Sequence, residues 1–297
     1  MKPDEAHKAT DRHLERMEKR IARIYRTASK EVGEKAKSFF DEFTAEDEKR
    51  AKLVAEGKMS KTTYHLWWRQ NIMQTERSIQ LQEVLTQSLV NANKTALSYI
   101  NGELPAVYSL NYNAIGEGIR QAVNGYSFTL LDANTVKRLS ADNPQLLPEK
   151  KLDIPRDKKW NRKLIKSQVL QGIVQGDTIP QISKRMEHVV GMNANSAVRN
   201  ARTMVTSAEN GGRMDMMHKA QDDGIIVRKL WISSNQSGRT RDWHMPDAFD
   251  SLEVDLDEPF HNDFGDIMFP GDPTADGANV YNCRCTLGSV VKGFRKT

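Results

Sequence analysis

A chain of 297 residues that is 38% hydrophobic and 28% charged carries enough apolar material for one large domain or two ordinary ones, so its core needs no staples. A mean hydropathy of −0.65 describes a surface-rich helical protein, and no stretch approaches the roughly eighteen apolar residues of a membrane span. The net charge of +5, left over from 44 basic and 39 acidic side chains, is no basic arm: it is compatible with contact to DNA without demanding it.

The N-terminus, Met1-Lys2-Pro3-Asp4-Glu5, lacks the apolar core of a signal peptide, which places the chain in a cytosol or in something assembled there. From about residue 11 to 47, Leu14, Met17, Ile21, Ile24, Ala28 and Val32 recur at three- and four-residue steps and predict an amphipathic helix. A break near Gly57 and a cap at Ser60-Lys61-Thr62-Thr63 lead into a second long helix. It runs through Trp67, Ile79, Leu85 and Leu89 to Ile100 and stops at Asn101-Gly102. Residues 104–154, broken by Pro105, Pro144 and Pro148 and by the Asn124-Gly125 turn, read as an irregular connection.

Helices resume over 156–175, over 180–190 with Asp177-Thr178 as cap and Pro180 in the first turn, and over 195–222 up to Gly224. The period then changes to two. Ile225-Ile226-Val227-Arg228-Lys229-Leu230-Trp231-Ile232 predicts a strand, short extended pieces follow, and a last strand lies near 286–291. The fold class is therefore α+β and predominantly α, with long N-terminal helices followed by helices and a small, loop-rich β region. By this division, 1–103 is a helical docking region, 104–154 connects, 155–291 is the C-terminal module and 292–297 is a basic tail.

The only two cysteines, Cys283 and Cys285, stand one residue apart, and His244 lies about forty residues upstream in a turn-rich segment. A Cys-x-Cys step on an extended strand puts both thiols on one face, so His244, Cys283 and Cys285 supply three ligands for zinc, with Asp242 or His261 as a fourth. Two readings compete with the metal. The cysteines can pack as small hydrophobes, or one can serve as a nucleophile beside His244 oriented by Asp242, although no cleft or oxyanion hole is marked. The three groups are expected to lie close together and to tie the last strand back onto the turn after Trp231, because a loop-rich segment needs a metal or a packed cluster to offset its ordering entropy.

Other chemistry is weaker. Asp266, Asp272, Asp276 and Asn279 form an acidic Gly/Pro-rich loop that reads as turns more readily than as a cation site. Arg239 and Arg241 can fork onto phosphate or carboxylate, or pair locally. Lys158, Lys159, Trp160, Arg162, Lys163 and Lys166, with the tail from Lys292 to Lys296, offer a diffuse nucleic-acid footprint. Adjacent Trp67 and Trp68 cannot both face one core, so one of them is a candidate interface anchor.

Taken in order, Arg202-Thr203 on a helix, Trp231 in a strand, Arg239-Thr240-Arg241 followed by His244, Pro270-Gly271-Asp272-Pro273 and Asn282-Cys283-Arg284-Cys285 resemble the Mu F-like minor head proteins of the phage head morphogenesis family, over roughly the C-terminal half. Two positions depart from that pattern: Met204 stands where glutamate commonly follows Arg-Thr, and Asp247-Ala248-Phe249-Asp250 replaces the usual glycine. The resemblance marks Arg202, Thr203, Trp231, Arg239, Arg241, Pro270, Asp272 and Asn282 as motif residues. It implies a minor component of a tailed-phage head that associates with the portal protein and acts in head morphogenesis, DNA packaging or ejection. Major capsid or scaffolding protein and non-specifically bound phage DNA are further expected partners, and a membrane is not. Some longer relatives carry fused enzymes, but this chain ends at Thr297, a few residues beyond Cys285, so no catalytic residue is expected. The sequence demands no cofactor; if one is bound, zinc is the one the residues suit.

Overall fold

The computed structural model describes residues 4–41, 43–73, 76–175, 177–234, 240–245 and 249–295. Helix α1 spans Glu5–Asp41 and buries the expected stripe, with Leu14, Met17, Ile21, Ala28 and Val32 inside; Tyr25 is buried in place of the half-exposed Ile24. Helix α2 (Thr44–Ala55) and helix α3 (Lys61–Trp68) flank the break at Gly57, whose φ is +69°. Ser60 caps α3 by accepting from the Thr63 N–H at 3.0 Å, as its position suggests.

The second long helix differs from expectation at both ends. A π-helical turn over Arg69–Met73 interrupts it, so α4 begins at Glu76 and Ile79 lies exposed. Helix α4 then runs to Ala122, straight through Asn101-Gly102 and Pro105. A mid-helix glycine costs about 1 kcal/mol and a proline about 3. Against this, Leu104, Val107, Tyr108, Ile115 and Ile119 are buried beyond the expected stop, each contributing about 1.5–3 kcal/mol for an aliphatic side chain. Packing wins, and part of the expected irregular connection is helix. Helix α5 (Ala133–Asp142) occupies more of it, capped by Asp132, which accepts from the Thr135 N–H at 2.8 Å.

Helix α6 spans Ile154–Gln175 and α7 spans Ile179–Asp222, so the two helices expected on either side of Gly191 are one. The Thr178 cap takes a reciprocal form, with Gln181 Oε1 accepting from the Thr178 N–H at 2.7 Å. Gly224, at φ +90°, ends α7 and turns the chain into β1, Ile225–Ile232. Strands β2 (Glu253–Asp255), β3 (Phe260–Asn262) and β4 (Gly265–Ile267), the short α8 (Gly277–Val280) and β5 (Thr286–Phe294) complete the described chain. β1 is the centre of an antiparallel β2-β1-β5 sheet, with Trp231 opposite Leu287 and Ile232 opposite Thr286; β3 and β4 form a hairpin. The fold is α+β and predominantly α, as expected.

The residues gather into two compact units, and α1, α4 and α7 each contribute a segment to both. One comprises 20–97 and 151–197. Its interior contains an amide network: Asn93 Nδ2 donates to Asp157 and to Asn193 Oδ1 (2.8 Å), Asn193 donates to Asn161 Oδ1 (2.9 Å), and the Tyr25 hydroxyl donates to Asn93 Oδ1 (2.7 Å). This explains the uninterrupted α7, since Asn193 spends its side chain in the buried network and not on a cap or turn. Nearby, Tyr64 and Trp68 both donate to Asp47 Oδ1, at 2.6 and 2.7 Å. Trp68 is the buried member of the tryptophan pair, whereas Trp67 is half-exposed and carries Arg50 over its ring.

The other unit comprises 1–19, 98–150 and 198–297. Its core combines Ile115 and Ile119 of α4, Val123 just after it, and Met214, Met216 and Met217 of α7 with Trp231, Phe249, Phe260, Leu287 and both cysteines. Between residues 203 and 217 almost every side chain of α7 is buried, polar ones included.

Candidate functional site

The C-terminal motifs meet on one helix. Arg202, Thr203, Thr206, Glu209, Asn210 and Arg213 recur along α7 at three- and four-residue steps, which aligns them on one side of the helix. The backbone of residues 282–287 runs along that side and is held by them. Thr203 Oγ1 accepts from the Asn282 N–H (3.0 Å), Thr206 Oγ1 donates to the Cys283 carbonyl (2.7 Å), and Asn210 donates to the Cys285 carbonyl (3.3 Å) while accepting from the Leu287 N–H (2.8 Å). Arg202 reaches the Asn282 side chain at 3.2 Å and pairs with Glu18 at 2.6 Å. Asn282 itself sits at φ +61°, a left-handed conformation that asparagine tolerates better than most residues.

Two charged groups in this ladder are fully buried. Glu209 accepts from Thr286 Oγ1 (2.8 Å) and from His7 Nδ1 (2.6 Å). Arg213 forks onto Asp4 (2.7 and 2.8 Å) and also donates to Asn111 Oδ1 (2.9 Å) and the Leu287 carbonyl (2.7 Å). Burial opposes the charge on Asp4, but the hydrogen bonds and field of Arg213 outweigh it and hold the carboxyl below its ordinary value.

The Pro270-Gly271-Asp272-Pro273 loop packs on the same helix. Gly271 has φ +83°, and a Cβ there would lie 2.7 Å from the Ser207 nitrogen, so both conformation and space require glycine. Pro270 is buried beside it, and Asp272 accepts from the Met268 N–H, the Thr274 N–H and the Thr274 hydroxyl. Asp276 caps α8, accepting from the Ala278 N–H; Asp266 meets His261; Asn279 pairs with Asn262. The acidic loop thus spends its oxygens on turns and neighbouring side chains.

Trp231 is fully buried between His244, Phe249 and Phe260, with ring centroids 4.8–5.0 Å away. A short 3₁₀ turn, Asp242–His244, presents His244 to the cysteines, and the Ser233 hydroxyl donates to the His244 carbonyl. His244 Nδ1 stands 3.7 Å from Cys283 Sγ and 3.8 Å from Cys285 Sγ, with all three residues buried and both thiols free. A hydrogen bond from Cys285, opposed by burial and aided by His244, draws the Cys283 thiol well below its usual value. Cys285, held by that bond to Cys283 and by burial, is pushed well above.

The structure brings together His244, Cys283 and Cys285 but supplies neither expected fourth ligand. Among the described residues no further His, Cys, Asp or Glu joins the group, and His261 is committed to Asp266 in the exposed β3–β4 hairpin. Nor is there a triad, since His244 Nε2 has no hydrogen-bond partner among the described residues and Asp242 does not orient the ring. Arg241 precedes the 3₁₀ turn and reaches the Tyr281 carbonyl; Arg239 and Asp247 lie outside the described residues. Arg284 pairs with Asp11.

A cavity of about 600 Å³ opens over this cluster, lined by Asp11, Glu15, Glu18, Arg202, Arg241 and Arg284 together with His244 and both cysteines. Of the basic footprints, Lys158 and Arg162 meet Glu83, and Lys292 meets Glu253; Lys159, Trp160, Lys163 and Lys166 are exposed on α6.

Residues 163–288, which carry the ladder, the tryptophan strand and the cysteine pair, match the family model of Phage Mu protein F like protein. Over those residues the chain is similar to the Mu F-like head proteins. The chain is also similar over nearly its whole length to minor head protein GP7 of Bacillus phage SPP1, with 24% identity over 294 residues covering 98% of this chain and 87% of that protein. No solved structure gives a significant match.

The motif residues were legible in the sequence, whereas Thr206, Asn210 and Arg213, which do much of the holding, were not. The available signal was their three- and four-residue spacing in line with Arg202-Thr203.

Proposed function

We propose that this protein is a minor component of a tailed-phage head that docks on the portal protein during head assembly and remains inside the particle, where it acts in DNA packaging or ejection. The observation that carries the reading is the similarity to a minor head protein across 98% of the chain, beyond the matched family region. The geometry agrees: the motif residues are spent on holding backbone together, and His244, beside the two thiols, has no carboxylate orienting its ring among the described residues. The role is structural.

A weaker interaction with DNA is favoured by one observation, the exposed Lys159, Lys163 and Lys166 with Trp160 on α6. Such contact would be non-specific, steeply salt-dependent and secondary to docking.

Co-expression with the portal protein of the same phage tests the docking. A complex that survives gel filtration at moderate salt is the expected result. Separate elution, with both proteins folded, would overturn portal docking.

A further inference from the structure

We propose that His244, Cys283 and Cys285 bind one zinc-class divalent cation through the imidazole Nδ1 and two thiolates, with the fourth coordination position opening into the cavity beside Arg202 and Arg284. This goes beyond the head-protein reading and stands or falls separately from it.

The geometry points to a metal. A tetrahedral zinc ion with ordinary bond lengths sets its nitrogen and sulfur ligands about 3.6 Å apart and two sulfurs about 3.8 Å apart. Here Nδ1 lies 3.7 and 3.8 Å from the sulfurs, and all three ligand atoms fall within 4.8 Å of one another. A cluster packed only for its apolar surface has no reason to aim one imidazole nitrogen at both thiols. A disulfide is disfavoured as well, because a Cys-x-Cys loop on extended chain is too short to close easily.

The ligands are also preorganised. The carbonyl of each ligand residue accepts a side-chain hydrogen bond: His244 from Ser233, Cys283 from Thr206 and Cys285 from Asn210. The cysteine pair and His244, about forty residues before it, are thereby fixed before any ion arrives, the outer support that metal sites require. Charge balances too. Two thiolates cancel a divalent cation, so the loaded site is neutral inside a buried core, and the thiol protons leave to solvent on binding. Three protein ligands and an adjoining cavity leave one position for water or another exchangeable ligand, the arrangement of an open site.

The test uses the full-length chain purified without chelator and with reductant. Elemental analysis should give one zinc per chain. Cobalt replacing the zinc should give the strong visible bands of a tetrahedral ion and near-ultraviolet thiolate charge transfer. Cys283→Ser and Cys285→Ser should lose this signature, His244→Gln should shift or lose it, and His261→Gln should keep it. Added 2-mercaptoethanol should shift the visible bands by taking the fourth position. Substoichiometric metal while both thiols titrate as free would overturn the site, as would an octahedral cobalt spectrum. Because zinc content and the cobalt spectrum are read on the unaltered protein, the proposal remains testable even if a variant misfolds. A tetrahedral spectrum unmoved by added thiol would overturn the open position.

Discussion

Thr206 donates its hydroxyl to the carbonyl of Cys283 at 2.7 Å, so a side chain on α7 grips the backbone of the cysteine pair directly. Both groups are buried, and removing the donor leaves a buried carbonyl unsatisfied. Thr206→Val should therefore destabilise the unit containing the sheet by about 1–3 kcal/mol, whereas Thr206→Ser, which keeps the hydroxyl, should cost less than half of that. Denaturant titration followed by the fluorescence of Trp231 distinguishes the two variants. A loss in Thr206→Ser as large as that in Thr206→Val would mean that the methyl contributes as much as the hydrogen bond.

Gly271 approaches α7 so closely that any side chain meets its backbone. Gly271→Ala combines a positive φ with a Cβ 2.7 Å from the Ser207 nitrogen, and backbone cannot swing aside as a flexible side chain can. A loss of about 2–4 kcal/mol is expected, at the upper end of ordinary point substitutions. By contrast, Gly211→Ala, where a Cβ meets nothing within 4 Å, should be neutral or slightly stabilising. A similar cost at both positions would contradict the packing of the loop on the helix.

Arg213 and Asp4 make a pH-dependent pair. The folded state holds the Asp4 carboxyl below its ordinary 3.8, so the stability from this pair is complete above that value and is lost as pH falls below it. The Asp4 side chain is 46% exposed, so solvent screens part of the effect and Asp4→Asn should cost only about 1 kcal/mol at neutral pH. Arg213→Met should cost about 3–5 kcal/mol, because Glu209, Asn111 and the Leu287 carbonyl all lose their buried donor or counter-charge. Acid unfolding curves of the three proteins check both the order and the window.

Lys229 is also shifted down, but there burial disfavours the charged form. It is fully buried, donates to the Leu256 carbonyl at 2.9 Å and lies 5.3 Å from the centre of the Phe260 ring; burial pulls its ammonium down to about 8. The unfolded chain keeps the ordinary value of 10.5 and so binds more protons between pH 8 and 10.5, which makes stability rise with pH across that window. Lys229→Met should remove the rise. Melting temperatures from pH 7 to 10.5 that rise equally in both proteins would assign the effect elsewhere.

Elements carried by periodicity were legible: β1 begins and ends at the expected residues, and the α1 stripe is buried as its spacing implies. Helix ends inside α4 and α7 were not. Asn101-Gly102 and Gly191 are local stop signals, but Ile100, Leu104 and the Asn93–Asn193 network supply long-range packing that local propensity does not register. The cysteines and His244 were legible as a cluster because few side chains coordinate metals. Thr206, Asn210 and Arg213 were not, because a buried polar ladder has the same spacing as an ordinary solvent face and only the neighbouring strand distinguishes them.

Composition analysis of purified procapsids and mature heads, by quantitative mass spectrometry of the phage that encodes this chain, bears most directly on the central claim. The protein is expected in both particles, at far fewer copies than the major capsid protein. Its absence from procapsids and mature heads alike would contradict a minor head protein.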